Sequence, residues 1–168
     1  MERIWAPWRM EYIDKAKIGE EEPCFFCEYI RENKDEENLI LYRGQKAFII
    51  MNRFPYNNGH LMVVPYEHSG DVLNLSPDIE AEMFSLIQLS VAALTKLWKP
   101  HGFNIGMNLG RVAGAGVADH LHYHIVPRWQ GDTNFMPVLA DTKVISEALK
   151  KSYEKLSKAI QEIQDQSK

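Results

Sequence analysis

The sequence predicts an α+β fold with an antiparallel sheet of about five strands. Short apolar runs rich in β-branched and aromatic residues follow one another with turn signals between them, which is typical of strands that pair with their chain neighbours. One long helical stretch interrupts this succession and a second ends it, so the strand–helix alternation that builds a parallel sheet is missing. The 168 residues are enough for one hydrophobic core, and we expect a single domain over residues 1–168.

The first half of the chain supplies three of the predicted strands. An N-terminal arm over residues 1–20 precedes "CFFCEYIRE", which predicts a short helix. The first two strands flank "GQK", a connection of hairpin length, and "FPYNNG" predicts a turn before the third. The three strands cover residues 39–43, 47–52 and 60–65.

The clearest helix of the sequence follows the third strand. Ser76 suits the N-cap and Pro77 the first helical position, and Pro100 ends the segment. The core-facing residues recur at helical spacing. They are Ile79, Met83, Leu86, Ile87, Ser90, Leu94 and Leu97.

The second half predicts two more strands and a final helix. Residues 103–110 read as a strand, 111–119 as a Gly-rich connection, and 120–126 as a strand that Pro127 ends. A C-terminal amphipathic helix covers about residues 143–165, with apolar residues three and four apart. These apolar residues are Leu149, Tyr153, Leu156, Ile160 and Ile163.

Composition and charge exclude several classes of partner. The net charge of −4 gives no overall positive field for long nucleic acids or anionic membranes. No apolar run approaches the roughly 20 residues that cross a bilayer, and the N-terminus lacks the apolar stretch of a signal peptide. The two cysteines fit a reducing environment better than a disulfide framework. We therefore expect a cytoplasmic protein without a nucleic-acid or membrane partner, whose charge still permits an anionic small molecule at a local cluster. We expect no organic cofactor.

The segment "HLHYHIVPR" carries three of the six histidines of the chain. Side chains on a strand alternate between its faces, so His120, His122 and His124 share one face, and Leu121 and its alternating partners point to the core. Three histidines in register favour a functional site over a strand that merely uses histidine on its polar side.

Distance argues against one metal ion held by all three histidines. The first and third positions are about 13 Å apart on a strand, whereas Zn–N bonds are about 2.0–2.1 Å long. A neutral imidazole is a good nucleophile for phosphorus or an acyl carbon. Gly114 and Gly116, just before this strand, would let backbone N–H groups approach phosphate oxygens, and Arg128 adds a positive charge after it.

Cys24 and Cys27 form a C-x-x-C pair with more than one interpretation. A redox role would require a thioredoxin-like β-α-β pattern, which is missing. Two buried apolar cysteines are one alternative, and a structural zinc site with two histidine ligands such as His68 and His120 is the other. Spacing alone leaves both open.

The segment "HLHYHIV" resembles the His-φ-His-φ-His-φ-φ motif of the histidine triad (HIT) superfamily, in which φ is an apolar residue. The segments "FIIMNRFPYNNGHLMVVPYEH", "GFNIGMNLGRVAGAGVADHLHYHIVPRW" and "WAPWRMEYI" extend the resemblance over roughly residues 5–145. The pattern is most similar to bacterial diadenosine tetraphosphate phosphorylases of the HIT type. The resemblance implies the HIT-like fold, usually assembled as a homodimer.

The resemblance also implies roles for residues of this chain. His122 would attack the α-phosphorus and form a nucleotidyl-histidine, and His124 would contact the phosphate as a second catalytic residue. The positions that match substrate-binding positions are Asn52, His60, Asn108, Gly114, Ala115, Gly116, Val117 and His124. The positions that match structural zinc ligands are Cys24, Cys27, His68 and His120.

The resemblance identifies the acceptor of the nucleotidyl group less directly. Gly116 stands where many hydrolase members carry Gln or Ser, whereas His124 stands where other branches of the superfamily carry Gln. Because glycine leaves room for a larger anion, we expect inorganic phosphate as acceptor, which would give ADP and ATP. A HIT hydrolase of dinucleoside polyphosphates or adenosine phosphoramidates, a non-catalytic nucleotide-binding protein and a metallohydrolase are the alternatives, in that order.

Overall fold

A computed structural model describes residues 24–132 and 145–166 of the chain. The predicted N-terminal arm over residues 1–20 and the first two residues of the predicted C-terminal helix lie outside these ranges.

Within these described ranges, five antiparallel strands form one sheet, which confirms the predicted α+β class. The sheet order is β1-β2-β3-β5-β4, so β5 lies between β3 and β4. The strands are β1 (Ile40–Arg43), β2 (Ala47–Met51), β3 (Leu61–Pro65), β4 (Gly102–Met107) and β5 (Tyr123–Arg128). The predicted β1–β2 hairpin is present, and β4 ends three residues before the predicted boundary.

The boundaries predicted for the histidine strand were wrong at both ends. The strand begins at Tyr123 because Leu121 donates its backbone N–H to Ser69 O, outside the sheet ladder, at 2.8 Å. It also continues through Pro127, whose carbonyl accepts from Asn57 Nδ2 at 3.0 Å. Pro127 pairs with Phe103 of β4, but on the other side of β5 the pairing with β3 ends at Ile125. The Pro127 carbonyl meets the Asn57 side chain there, where no strand needs an N–H from residue 127.

Helices lie before, within and after the sheet. They are α1 (Phe25–Glu32), α2 (Asp35–Asn38), α3 (Pro77–Trp98) and α4 (Leu149–Gln166), with 3₁₀ turns at Val72–Asn74 and Arg111–Ala113. Ser76 and Pro77 occupy the predicted N-cap and first helical positions of α3. Helix α4 begins later than predicted, and Glu147 just before it accepts from Ser152 Oγ at 3.1 Å, a favourable place for a carboxylate.

The sheet separates two hydrophobic clusters. Helices α3 and α4 cover one face, where the predicted apolar stripes meet the alternate residues of β2, β3 and β5. On the other face, Phe26 of α1 packs with a smaller cluster that consists of Ile40, Phe48, Ile50, Met62 and Val64. The face covered by α1 is also the face of the histidines. No helix in the described ranges is long and apolar enough to cross a membrane.

Candidate active site

The three histidines share one face, as the alternation predicts. The rings of His122 and His124 lie 4.8 Å apart between centroids, and Phe26 contacts both His120 and His122 at 5.3 Å. Leu121, on the opposite face, is buried in the core beneath α3. The segment before β5 therefore presents the imidazoles together although only His124 lies within the strand.

The tautomer of His122 follows from a single hydrogen bond. Its Nδ1 lies 2.9 Å from the backbone carbonyl of His120, and a carbonyl can only accept, so Nδ1 carries the proton. Nε2 therefore keeps its lone pair. Burial lowers the pKa of His122 below its ordinary value, which keeps the ring neutral near pH 7. A neutral imidazole with a free Nε2 lone pair is equipped to act as a nucleophile.

The orientation of His124 follows from a chain of donors. The backbone N–H of Tyr56 donates to His60 Nδ1 at 3.1 Å, so the proton of His60 is on Nε2. That Nε2 donates to His124 Nδ1 at 2.9 Å, which leaves the proton of a neutral His124 on its Nε2. Burial, with smaller contributions from the neighbouring His124 and His122, lowers the pKa of His60 to about 3. His60 therefore stays neutral and holds His124 as a donor.

The Gly-rich connection forms a compact loop beside these histidines. Gly110 and Gly114 have φ of 77° and 92°, a region that glycine enters without steric cost. Asn108 Nδ2 donates to Gly114 O at 3.4 Å. The last pair of the β4–β5 ladder is Met107↔Tyr123, so Asn108 and His122 are the residues directly beyond the same end of that ladder.

The backbone N–H groups that this loop can offer to a phosphate are not all those that the sequence predicts. The Gly114 N–H donates to Arg111 O at 2.9 Å and the Ala115 N–H to Gly110 O at 3.3 Å. Both donors are thus engaged within the loop. An anion would be met by the next two residues of the predicted set, of which Gly116 is exposed and Val117 packs partly against the Phe26 cluster.

Asn52 and Arg128 are both engaged with other groups of the protein. Asn52 Oδ1 accepts from the backbone N–H of Phe54 at 2.8 Å, so part of its amide shapes the turn after β2. Arg128 forms a two-point ion pair with Asp132, at 2.6 and 3.1 Å. The positive charge expected from Arg128 is therefore paired within the protein.

Four side chains from three separate parts of the chain form a cluster that can hold a metal ion. We call Cys24, Cys27, His68 and His120 the Cys₂His₂ cluster, whose four ligand atoms lie within 4.8 Å of one another. His120 Nδ1 is 3.3 Å from Cys24 Sγ and 3.3 Å from His68 Nδ1, and Cys27 Sγ is 3.3 Å from His68 Nδ1. Bonds of about 2.0–2.3 Å to a tetrahedral Zn²⁺ place its ligands about 3.4–3.8 Å apart. The spacing fits such an ion.

The protonation of the cluster also suits a cation. His120 Nε2 donates to Pro65 O at 2.8 Å, so its Nδ1 lone pair faces the cluster, as is usual for a metal-bound histidine. Burial, a hydrogen bond from Cys24 and its charge raise the pKa of the Cys27 thiol, an effect that a bound cation reverses. Cys24 precedes α1 and Cys27 lies in its first turn, which brings the two sulfurs together.

Two aromatic side chains of the site were not predicted from the sequence. Tyr56 packs against His60 and His124, with ring centroids 4.6 and 5.8 Å away. Phe26 reaches two of the triad rings. The only signal for Phe26 was its place between the two cysteines, which Phe25 shares.

Comparison with known proteins agrees with this geometry. The family model described as HIT domain matches residues 33–131. An AP-4-A phosphorylase of Mycobacterium tuberculosis is 38% identical over 155 residues, covering 89% of this chain and 80% of that protein. The adenosine 5'-monophosphoramidase hnt1 of Schizosaccharomyces pombe is 30% identical over 62% of this chain and 74% of its own. A Zn-bound histidine triad family protein from Mycobacterium smegmatis superposes with a TM-score of 0.69 at 24% identity, covering 84% of this chain and 96% of that one.

Proposed function

The chain belongs to the HIT domain family, and from that premise we propose that it cleaves diadenosine tetraphosphate by nucleotidyl transfer through His122. The observation that carries the proposal is the bond from His122 Nδ1 to the His120 carbonyl, which leaves Nε2 unprotonated. The similarity to an AP-4-A phosphorylase supports this choice of substrate.

The proposed reaction has two displacements at the same phosphorus. In the first, the Nε2 lone pair of His122 forms a P–N bond to the α-phosphorus, and the P–O bond to the departing ATP breaks. The proton on Nδ1 stays on the ring, where the His120 carbonyl stabilises the resulting positive charge. His124 would donate its Nε2–H to a phosphate oxygen and lower the barrier by stabilising the negative charge that develops there.

In the second displacement, inorganic phosphate attacks the same phosphorus and the P–N bond breaks. The electron pair returns to His122 Nε2, and the product is ADP. We propose that phosphate rather than water is the acceptor, because Gly116 is exposed in the Gly-rich loop and has no side chain to fill the space there. Hydrolysis is the second candidate, supported by the similarity to a relative named as a phosphoramidase.

We also propose that the Cys₂His₂ cluster holds Zn²⁺ in a structural role. The donor set of two thiols and two imidazoles is the one that Zn²⁺ prefers at closed structural sites. The ion would tie Cys24 and Cys27 of the α1 segment to His120, directly before the nucleophile. No step of the reaction passes through it.

Assembly as a cytoplasmic homodimer completes the proposal. Within the part of the chain that the structure describes, strand β4 lies at the edge of the sheet, with Ile105 46% exposed. An open edge of this kind offers unpaired backbone groups to a second copy.

The test is to incubate the purified protein with diadenosine tetraphosphate, with and without inorganic phosphate, and to separate the products by charge. We expect ADP and ATP only when phosphate is present, and no products from His122→Ala. Gly116→Gln should raise the ratio of hydrolysis to phosphorolysis. AMP and ATP without phosphate would identify a hydrolase. Binding of diadenosine tetraphosphate to the wild-type protein without the release of any product would identify a nucleotide-binding protein.

A further inference from the structure

We propose that Phe26 is a positioning residue for the nucleophile, which sets the plane of the His122 ring. This inference rests on the proposed function, because it assigns Phe26 a part in the attack by His122. Phe26 is fully buried, and its ring lies 5.3 Å from that of His122 at an interplanar angle of 53°. It also lies 5.3 Å from the His120 ring, at 64°.

The hydrogen bond to the His120 carbonyl cannot fix the His122 ring alone. A single bond at Nδ1 holds one atom at 2.9 Å but lets the ring turn about the line of that bond. Such a turn would swing Nε2 away from an in-line approach to phosphorus. Among the described residues, two neighbouring rings limit it, Phe26 at 5.3 Å and His124 at 4.8 Å and 74°. Of these two rings, His124 faces the substrate in the proposed mechanism, whereas Phe26 lies in the protein interior.

The Phe26 ring is itself held from several directions. Its backbone lies between Cys24 and Cys27, whose side chains converge on His120. Its ring meets Phe48 edge-on at 6.4 Å and 71°. At the next turn of α1, Arg43 donates to Tyr29 O at 3.2 Å and ties the helix to β1. A ring fixed in this way can hold a catalytic side chain to the tolerance that attack geometry needs.

Phe48 provides a matched control for Phe26. Both rings are fully buried in the same cluster, so replacing either one should cost similar packing. Among the ring contacts of the described residues, Phe48 meets Phe26 and Tyr66 but none of the three histidines of the motif. A purely structural role predicts the same behaviour for the two variants, whereas a positioning role separates them.

The experiment compares Phe26→Leu and Phe48→Leu with the wild type in single-turnover, acid-quenched formation of the nucleotidyl-histidine from diadenosine tetraphosphate. We expect Phe26→Leu to slow this step about 10- to 100-fold, because small misplacement of a reacting group has effects of this size. The KM of Phe26→Leu for diadenosine tetraphosphate and its metal content should stay close to those of the wild type. Phe48→Leu should lower the thermal midpoint similarly and leave the rate within about threefold.

Either of two results would overturn the inference. One is equal slowing in both variants, and the other is a wild-type rate in Phe26→Leu. If Phe26→Leu does not fold, the same measurement is made on Phe26→Met, which keeps apolar volume without a planar ring. The same rate changes are expected of it. A wild-type protein that forms no adduct at all would instead refute the proposed function, and this inference with it.

Discussion

The two ends of the histidine motif differ more than their sequence suggests. His120 and His124 lie four residues apart on one face, yet His120 turns its Nδ1 toward Cys24, at 3.3 Å, and His68. His124 instead receives a proton from His60 at 2.9 Å. One end directs a lone pair into a group of metal-binding atoms, and the other accepts a hydrogen bond from a neighbouring imidazole. The neighbours brought by other elements, and not the motif, determine what each ring can do.

His122 depends on both ends at once. Its tautomer is set by the backbone of His120, whose ring belongs to the Cys₂His₂ cluster. Its ring contacts His124, whose proton is set by His60. We call the His120 end of the motif the cation end and the His124 end the anion end. In the proposed mechanism, the cation end affects the position of His122, and the anion end affects the stabilisation of charge on the substrate. Variants at the two ends should separate these effects.

The largest expected effect comes from removing a ligand at the cation end. Structural zinc sites with four ligands contribute about 10–16 kcal/mol in apparent binding free energy, so loss of one ligand, the Cys27 thiol, should cost about 2.5–4 kcal/mol of zinc affinity. Cys27→Ala should purify with little zinc and unfold at a lower temperature. Metal analysis and calorimetry measure both quantities. His60→Leu, at the other end, should retain a full zinc content, and equal loss of zinc in the two variants would contradict the division of the motif.

The next effect in size comes from His60 at the anion end. His60→Leu removes the donor to His124 Nδ1, so His124 can adopt the tautomer that presents a lone pair, rather than a proton, to the phosphate. General acid–base groups contribute about 10²–10⁴-fold to a rate, and we expect adduct formation to slow by about 100-fold. His60→Gln, whose amide can still donate, should recover part of that rate. If both variants match the wild type, the His60–His124 bond does not orient the catalytic proton.

The sequence predicted the shared face of the histidines because side-chain alternation is a local property of extended chain. It did not reveal that the strand begins only at Tyr123, since this depends on Leu121 bonding to Ser69, which lies in a different segment. Spacing offered the Cys₂His₂ cluster as one of two alternatives, and only the family resemblance favoured it, because its ligands meet only in the folded chain. The choice of Phe26 over Phe25 as the buried ring likewise depends on how α1 packs on the sheet.

The smallest expected effect is a dependence of stability on pH that originates at the anion end. His60 has a pKa near its ordinary 6.5 when unfolded and about 3 when folded, so between these values the unfolded state binds more protons. Stability contributed by neutral His60 is therefore complete above pH 6.5 and is lost as the pH falls toward 3. At pH 5 the loss is about 2 kcal/mol, since each pKa unit corresponds to about 1.36 kcal/mol. His124, His122 and the Tyr56 backbone N–H face His60 and disfavour its protonation.

Urea unfolding of the wild type and His60→Leu at pH 7 and pH 5, with the same zinc content, isolates this contribution. The variant is less stable at pH 7 because it loses two hydrogen bonds, but its free energy of unfolding should fall by about 2 kcal/mol less than that of the wild type between the two pH values. The acid sensitivity of the Cys₂His₂ cluster is common to both proteins and cancels in the comparison. If the free energy of unfolding falls equally in the two proteins, the acid sensitivity belongs to the cation end and not to His60. The two ends would then differ in their chemistry but not in their contribution to pH-dependent stability.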